Sequence, residues 1–256
     1  MRVLVLGGTR EATRLADALG QAGVPAIFSY AGRIEAVRAQ AVPHRVGGFG
    51  GSAGLAAFLR TERISHVVDA THPFAATIKA NAVRAAASAG AWHLALLRPP
   101  WRAGTGDRWT RVPDLAAAPA ALPEDPCTVF LGIGRQGVEA FADRPAHRYL
   151  LRFVDPPDRP LCLPNHRLLI GRPPFSEADE TALFRREKVS VIVAKDAGGS
   201  GGMAKLGAAR ALGLPVLLID RPPPPDAKTV PRVEDALAWL GLAPKPGADH
   251  DADLGV

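Results

Sequence analysis

The chain has 256 residues, 47% apolar and 22% charged, a composition that suits a folded protein with a sizeable core and excludes a fibrous or disordered one. No apolar run reaches the roughly 18 residues that a membrane span needs, and the first residues run directly into VLVL without a basic leader, so a cytoplasmic protein with no membrane partner is expected. The formal net charge of +6 is carried by arginines in ones and twos, with no basic–aromatic stripe for stacking bases, which favours an acidic small molecule over nucleic acid as the partner.

In chain order, one phrase repeats: a short β-branched or leucine-rich run, a turn, then an alanine-rich helical stretch. Strands are predicted at 3–7, 26–30, 44–46, 66–70 and 93–97, with helices at 10–22, 52–61 and 74–89 between them. RPPWRAGTGDRW (98–109) breaks the pattern and is the linker candidate. Strands then resume at 110–112, 128–132, 148–153, 189–194 and 215–219, with helices at 113–121, 136–142, 176–187, 203–212 and 233–240. Alternation of this kind builds parallel sheets with helices on both faces. The expected fold is therefore α/β: two Rossmann-like parallel-sheet domains, 1–98 and 108–241, with a cleft between them. RPPPP (221–225) reads as stiff and extended, and 242–256 as a disordered tail. Cys127 and Cys162 lack metal-type pairing, so plain thiols and no metal site are expected.

The loop GGTREA follows the first strand and opens the first helix, the context that gives a glycine motif weight. Gly7 and Gly8 permit the tight turn, while the amides of Thr9, Arg10 and Glu11 can face a pyrophosphate with the helix dipole behind them. An NAD site would place a carboxylate at the end of the second strand. Here Ser29 stands there, followed by Gly32 and Arg33, a hydroxyl and a guanidinium suited to the 2′-phosphate of NADPH. GGFGG (47–51) and DATHPFA (69–75) follow the third and fourth strands, so Gly48, Phe49 and Thr71 join the cofactor-binding candidates. His72, just before a proline suited to open a helix, is either a helix N-terminal residue or a catalytic one.

A second glycine-rich stretch, KDAGGSGGMAKLGAA (195–209), resembles a phosphate loop but lacks its parts. Ala204 replaces the glycine before Lys205, and Leu206 replaces the magnesium-binding hydroxyl. What remains is an amide-rich turn flanked by lysines, a cradle for carboxylates: Lys195, Gly199, Ser200, Gly201 and Lys205. Arg135 and Arg152, at predicted strand ends, could add positive charge or be ordinary surface arginines.

GGTRE, DATHPFA and KDAGGSGGMAKLGAA, in this order and spacing, resemble the precorrin-6A reductase family of cobalamin biosynthesis over nearly the whole ordered chain. The resemblance implies NADPH on the first domain and hydride transfer to one double bond of an anionic tetrapyrrole, giving precorrin-6B; a related branch acts on the cobalt-containing ring. Other enzymes of that pathway are possible partners. His72 and Asp196 are the candidates for handling the proton. The alternatives are another NADPH-dependent small-molecule reductase, or a non-catalytic nucleotide- or nucleic-acid-binding module.

Overall fold

The computed structural model describes residues 1–30 and 39–242. Gly32, Arg33 and the tail from 243 onward lie outside the described residues. The chain forms two compact units, 1–98 together with the segment from 224, and 99–223.

The first unit is a six-stranded sheet in the order β3-β2-β1-β4-β5-β12, every described ladder parallel. Its strands are β1 (Val3–Leu6), β2 (Ala26–Tyr30), β3 (His44–Val46), β4 (His66–Asp69), β5 (Trp92–Leu96) and β12 (Thr229–Val230). A parallel sheet covered on both faces needs strands that are apolar throughout, and β1 is buried at all four positions. On one face α1 (Arg10–Gln21) buries Ala12, Leu15, Ala16 and Leu19, the spacing of a single helical stripe. On the other, α2 (Gly51–Thr61) and α3 (Ala76–Ala89) pack on Leu4, Leu6 and Val67, with the alanines of α3 allowing close approach.

The second unit is also a six-stranded parallel sheet, in the order β6-β11-β10-β7-β8-β9. Its strands are β6 (Arg108–Val112), β7 (Thr128–Gly132), β8 (Arg148–Phe153), β9 (His166–Ile170), β10 (Val191–Lys195) and β11 (Pro215–Ile219). Helices α4 (Glu177–Arg186) and α5 (Met203–Ala211) bury Leu183, Phe184, Leu206, Ala208 and Ala209 against it.

Four expectations need correction. The C-terminal segment does not belong to the second unit: β12 pairs with β5, and α6 (Val233–Trp239) lays Val233, Ala236 and the following Leu240 into the core beside α1. Leu242, expected in the disordered tail, packs on that same core. The predicted helices at 113–121 and 136–142 reduce to 3-10 turns at Pro119–Ala121 and Val138–Phe141; prolines at 113, 119 and 123 and left-handed Gly134 and Gly137 stop longer helices. The linker candidate is partly built into the second unit, since Trp101 is 7% exposed and β6 already starts at Arg108.

Leu240 tests the reassigned boundary. Leu240→Ala should destabilise the protein by about 2–4 kcal/mol, read as a lower urea midpoint, because it opens a hole in the core that α1 and α6 share.

Candidate functional site

Open parallel sheets bind ligands at the carboxyl ends of strands, where the strand order reverses. In the first unit that point lies between β1 and β4. Gly7 follows β1 so closely that a Cβ there would sit 2.1 Å from the Phe28 ring, and Gly8 turns with a φ of +129°. Thr9 then caps α1: its Oγ1 accepts the Ala12 N–H (3.2 Å) and donates to the Ala70 carbonyl (2.7 Å) at the end of β4. That one hydroxyl ties the two sides of the switch point together. Gly8 and Arg10 are exposed and Thr9 and Glu11 half-buried, so the helix amino end is open to an anion. The Glu11 carboxylate is neutralised by Arg98, which leaves the end of β5 and donates to it at 2.7 Å.

The loop after β4 is clamped from below. Asp69, fully buried, accepts from both the backbone N–H and the hydroxyl of Thr71 (3.0 and 2.6 Å). Lys79 of α3, 4% exposed, reaches both Asp69 oxygens at 3.4 Å and the Thr71 carbonyl at 3.3 Å. Thr71 therefore has a positioning role in this loop. His72 is half-buried at the rim, and its Nδ1 accepts the Phe74 N–H (3.2 Å), which leaves the proton of the neutral ring on Nε2. The segment 72–75 forms a turn, so α3 begins at Ala76 instead of at Pro73.

At the ends of β2 and β3, Ser29 is 4% exposed and accepts from Arg45, which lies 4.0 Å from the centroid of the Phe49 ring. Gly48 is exposed beside it.

In the second unit the strand order reverses between β7 and β10, and the glycine-rich loop leaves β10 at that point. Trp101 holds it: the indole Nε1 donates to the Gly199 carbonyl (2.8 Å), and a Cβ on Gly202 would meet the ring at 2.6 Å. Lys205 donates to the Gly202 carbonyl at 3.2 Å with its ammonium 5.3 Å from the centroid of a Trp101 ring; although its side chain as a whole is only half-buried, burial of the ammonium pulls its pKa down to about 8. Burial also pulls the half-buried Lys195 below the ordinary lysine range. Ser200 and Gly201 are exposed, and nothing stands within 4 Å of where a Gly201 Cβ would be.

Three of the charged residues singled out from sequence are engaged elsewhere. Asp196 is fully buried and accepts the Trp101 N–H (3.0 Å) and Arg111 (2.8 Å), with Arg221 at 3.7 Å. A carboxylate so enclosed and so paired anchors the start of the loop, and the expectation that it handles a proton does not fit this placement. Arg152 makes a two-pronged pair with the buried Glu180, one arm at 2.7 Å, between the rings of Phe130 and Phe175. Arg135 pairs with the exposed Asp158 at 3.0 Å. The residues that sequence reasoning passed over are Lys79, Arg45, Arg98 and Trp101. A lysine on the alanine-rich face of α3 was the one visible signal among them.

Among the described residues no group of three or more His, Cys, Asp or Glu side chains could hold a metal ion, and no helix is long and apolar enough to cross a membrane.

The strand order and the threonine-capped, glycine-opened helix at its reversal define the first unit as a doubly wound α/β fold of the dinucleotide-binding type. Residues 2–241 match the family model "Precorrin-6x reductase CbiJ/CobK", and the chain belongs to that family of oxidoreductases. It is 55% identical to a "Precorrin-6A reductase" of Rhodobacter capsulatus over 98% of this chain and 97% of the relative. It is 49% identical to one of the same name from Rhodococcus erythropolis, covering 94% and 97%. A solved structure titled "CobK precorrin-6A reductase" superposes with a TM-score of 0.91 at 54% identity, covering 96% of this chain and 99% of that one.

The buried pair beneath the Thr71 loop gives a direct test. Lys79→Met should cost about 3–5 kcal/mol by chemical denaturation, because it strands the buried Asp69 charge. Adding Asp69→Asn should recover much of that loss, since the amide oxygen still accepts from Thr71 while the charge is gone.

Proposed function

We propose that this chain reduces precorrin-6A to precorrin-6B, with NADPH as the hydride donor. The likeness to relatives of that name, at half or more of all positions and along nearly their whole length, carries the substrate assignment. The cofactor assignment is supported by the open amino end of α1 and by the absence of a carboxylate from β2, whose last residues are Phe28, Ser29 and Tyr30. Gly7, Gly8, Thr9 and Arg10 would hold the pyrophosphate, with Arg98 cancelling the nearby charge of Glu11. When bound, the dihydronicotinamide supplies the hydride that a conjugated macrocycle accepts and delocalises.

The protein's share of the work is placement and charge. We assign recognition of the carboxylate arms of the tetrapyrrole to the loop of the second unit: the exposed Ser200, the amides of Gly199 and Gly201, and the ammonium groups of Lys195 and Lys205. Trp101 and Asp196 position that loop from below. His72, whose Nδ1 accepts the Phe74 N–H, is the residue we assign to hold or pass a proton at the first unit, through Nε2. The net charge of +6 suits such a polyanionic substrate, and the lack of a membrane-spanning helix among the described residues agrees with a cytoplasmic setting.

Purified enzyme with precorrin-6A should oxidise NADPH, and NADPH deuterated at the transferring position should leave its label in the macrocycle. Oxidation without label in the product, or none at all, would refute the assignment. The depressed pKa of Lys205 gives a second measurement. Its ammonium is charged below about pH 8 and neutral above, so kcat/KM for the macrocycle, which reports free enzyme, should fall as pH rises through that value. Lys205→Arg should flatten this limb of the profile, and Lys205→Ala should lower kcat/KM across the whole range.

A further inference from the structure

Arg45 is the middle residue of β3 and stands in register with Ser29 of β2. Its Nη1 donates to the Ser29 hydroxyl and to the Gly47 carbonyl, both at 2.9 Å, and its Nη2 donates to the Gly48 carbonyl at 3.1 Å. The guanidinium lies 4.0 Å from the centroid of the Phe49 ring and 5.3 Å from that of Phe58, which fixes its plane. Every one of these partners is neutral. Arg98, Arg152 and Arg221 are likewise withdrawn from water, and each has a carboxylate within 4 Å; among the described residues Arg45 has none. Burial also pulls its pKa below the ordinary arginine value. A half-buried cation with no carboxylate partner among the described residues, held against aromatic rings, suits an anion that comes from outside.

Its place in the fold says which anion. In doubly wound folds the end of the second strand meets the adenosine ribose, and a nearby arginine accommodates a 2′-phosphate. The Nε–H of Arg45 and one Nη2 N–H make no hydrogen bond among the described residues. Nε and Nη2 flank one edge of the guanidinium, the kind of edge that grips a phosphate with two bonds. Among the described residues nothing stands within 4 Å of where a Gly48 Cβ would be, so none of them crowds the backbone beside this edge. Resting on the NADPH reading above, we propose that Arg45 reads the 2′-phosphate and thereby sets the preference for NADPH over NADH.

The test compares Arg45→Met, which keeps the stem against Phe49, and Arg45→Lys, which keeps the charge but loses the fork. The ratio of kcat/KM for NADPH to that for NADH should collapse by about 10–100-fold in the methionine variant, the range expected for hydrogen bonds to a charged group, and by less in the lysine variant. Equal losses with both cofactors would overturn the proposal and leave Arg45 only as a brace for the glycine loop. Calorimetry gives a readout that needs no turnover: wild-type protein should bind 2′,5′-ADP more tightly than 5′-AMP, and Arg45→Met should erase the difference. A preference that survives the substitution overturns the role of Arg45 alone. A wild-type protein without preference overturns the NADPH reading as well.

Discussion

The constraint on which the rest of the structure depends is the parallel pairing of every described strand. Parallel ladders cannot close through tight hairpins, so the chain must cross back between neighbouring strands, and where helices make that crossing they bury the faces of the sheet. The interiors of the central strands are then apolar, VLVL in β1 and VIVA in β10. Polar chemistry is pushed to the carboxyl ends, where the chain leaves the sheet. The glycine turn after β1, the Thr71–His72 turn after β4 and the lysine-flanked loop after β10 all stand there.

Loops at strand ends are the least constrained parts of such a fold, and here buried polar groups do the constraining. Asp69 with Lys79 fixes the turn after β4; Asp196 with Arg111, Arg221 and the Trp101 amide fixes the loop after β10. Asp69 ends its strand and Asp196 directly follows its own; both are completely enclosed, and both accept a backbone N–H as well as a cation. A buried ion pair is a poor source of net stability, because desolvation offsets the attraction. What it gives is a single geometry, since any other arrangement strands a charge. Sites that must hold a flexible anionic ligand gain more from that than from extra stability.

This division explains what the sequence disclosed. Strands and helices with apolar runs of four or more residues were legible, since periodicity and turn glycines mark them directly; β2, β7, β8 and β11 coincide with their predicted bounds. β12 was not legible because two residues carry no period, and β9 because an edge strand whose residues are exposed or only half-buried has no hydrophobic signature. α6 was visible as a helix, but nothing in its pattern says which of two similar cores it covers. The site shows the same split. Glycine loops and a strand-end serine can be read one residue at a time, whereas Asp196 and Arg152 looked functional from position alone. Only their partners, distant in sequence, reveal that each is engaged in holding the fold.

Partners also settle how the surplus of positive charge is to be understood. A net charge of +6 suggests a basic surface waiting for an anion. That surplus already counts every carboxylate, and many arginines on both units are matched to one, Arg98 to Glu11, Arg152 to Glu180, Arg148 and Arg167 to Glu187, Arg210 to Asp107. Such pairs cancel at distances comparable to the Debye length, so they contribute little to long-range attraction. Arg45 stands among carbonyls and aromatic rings, Lys205 against Trp101 and a glycine carbonyl with the Glu180–Arg152 pair near it, and both stand beside a glycine-rich loop. In the reading proposed above, the glycines would bring backbone close to the ligand and the cation would make that approach selective for an anion. Neither residue type would suffice alone, and their coincidence at each strand-order reversal or its neighbouring strand end is what distinguishes these loops from ordinary turns.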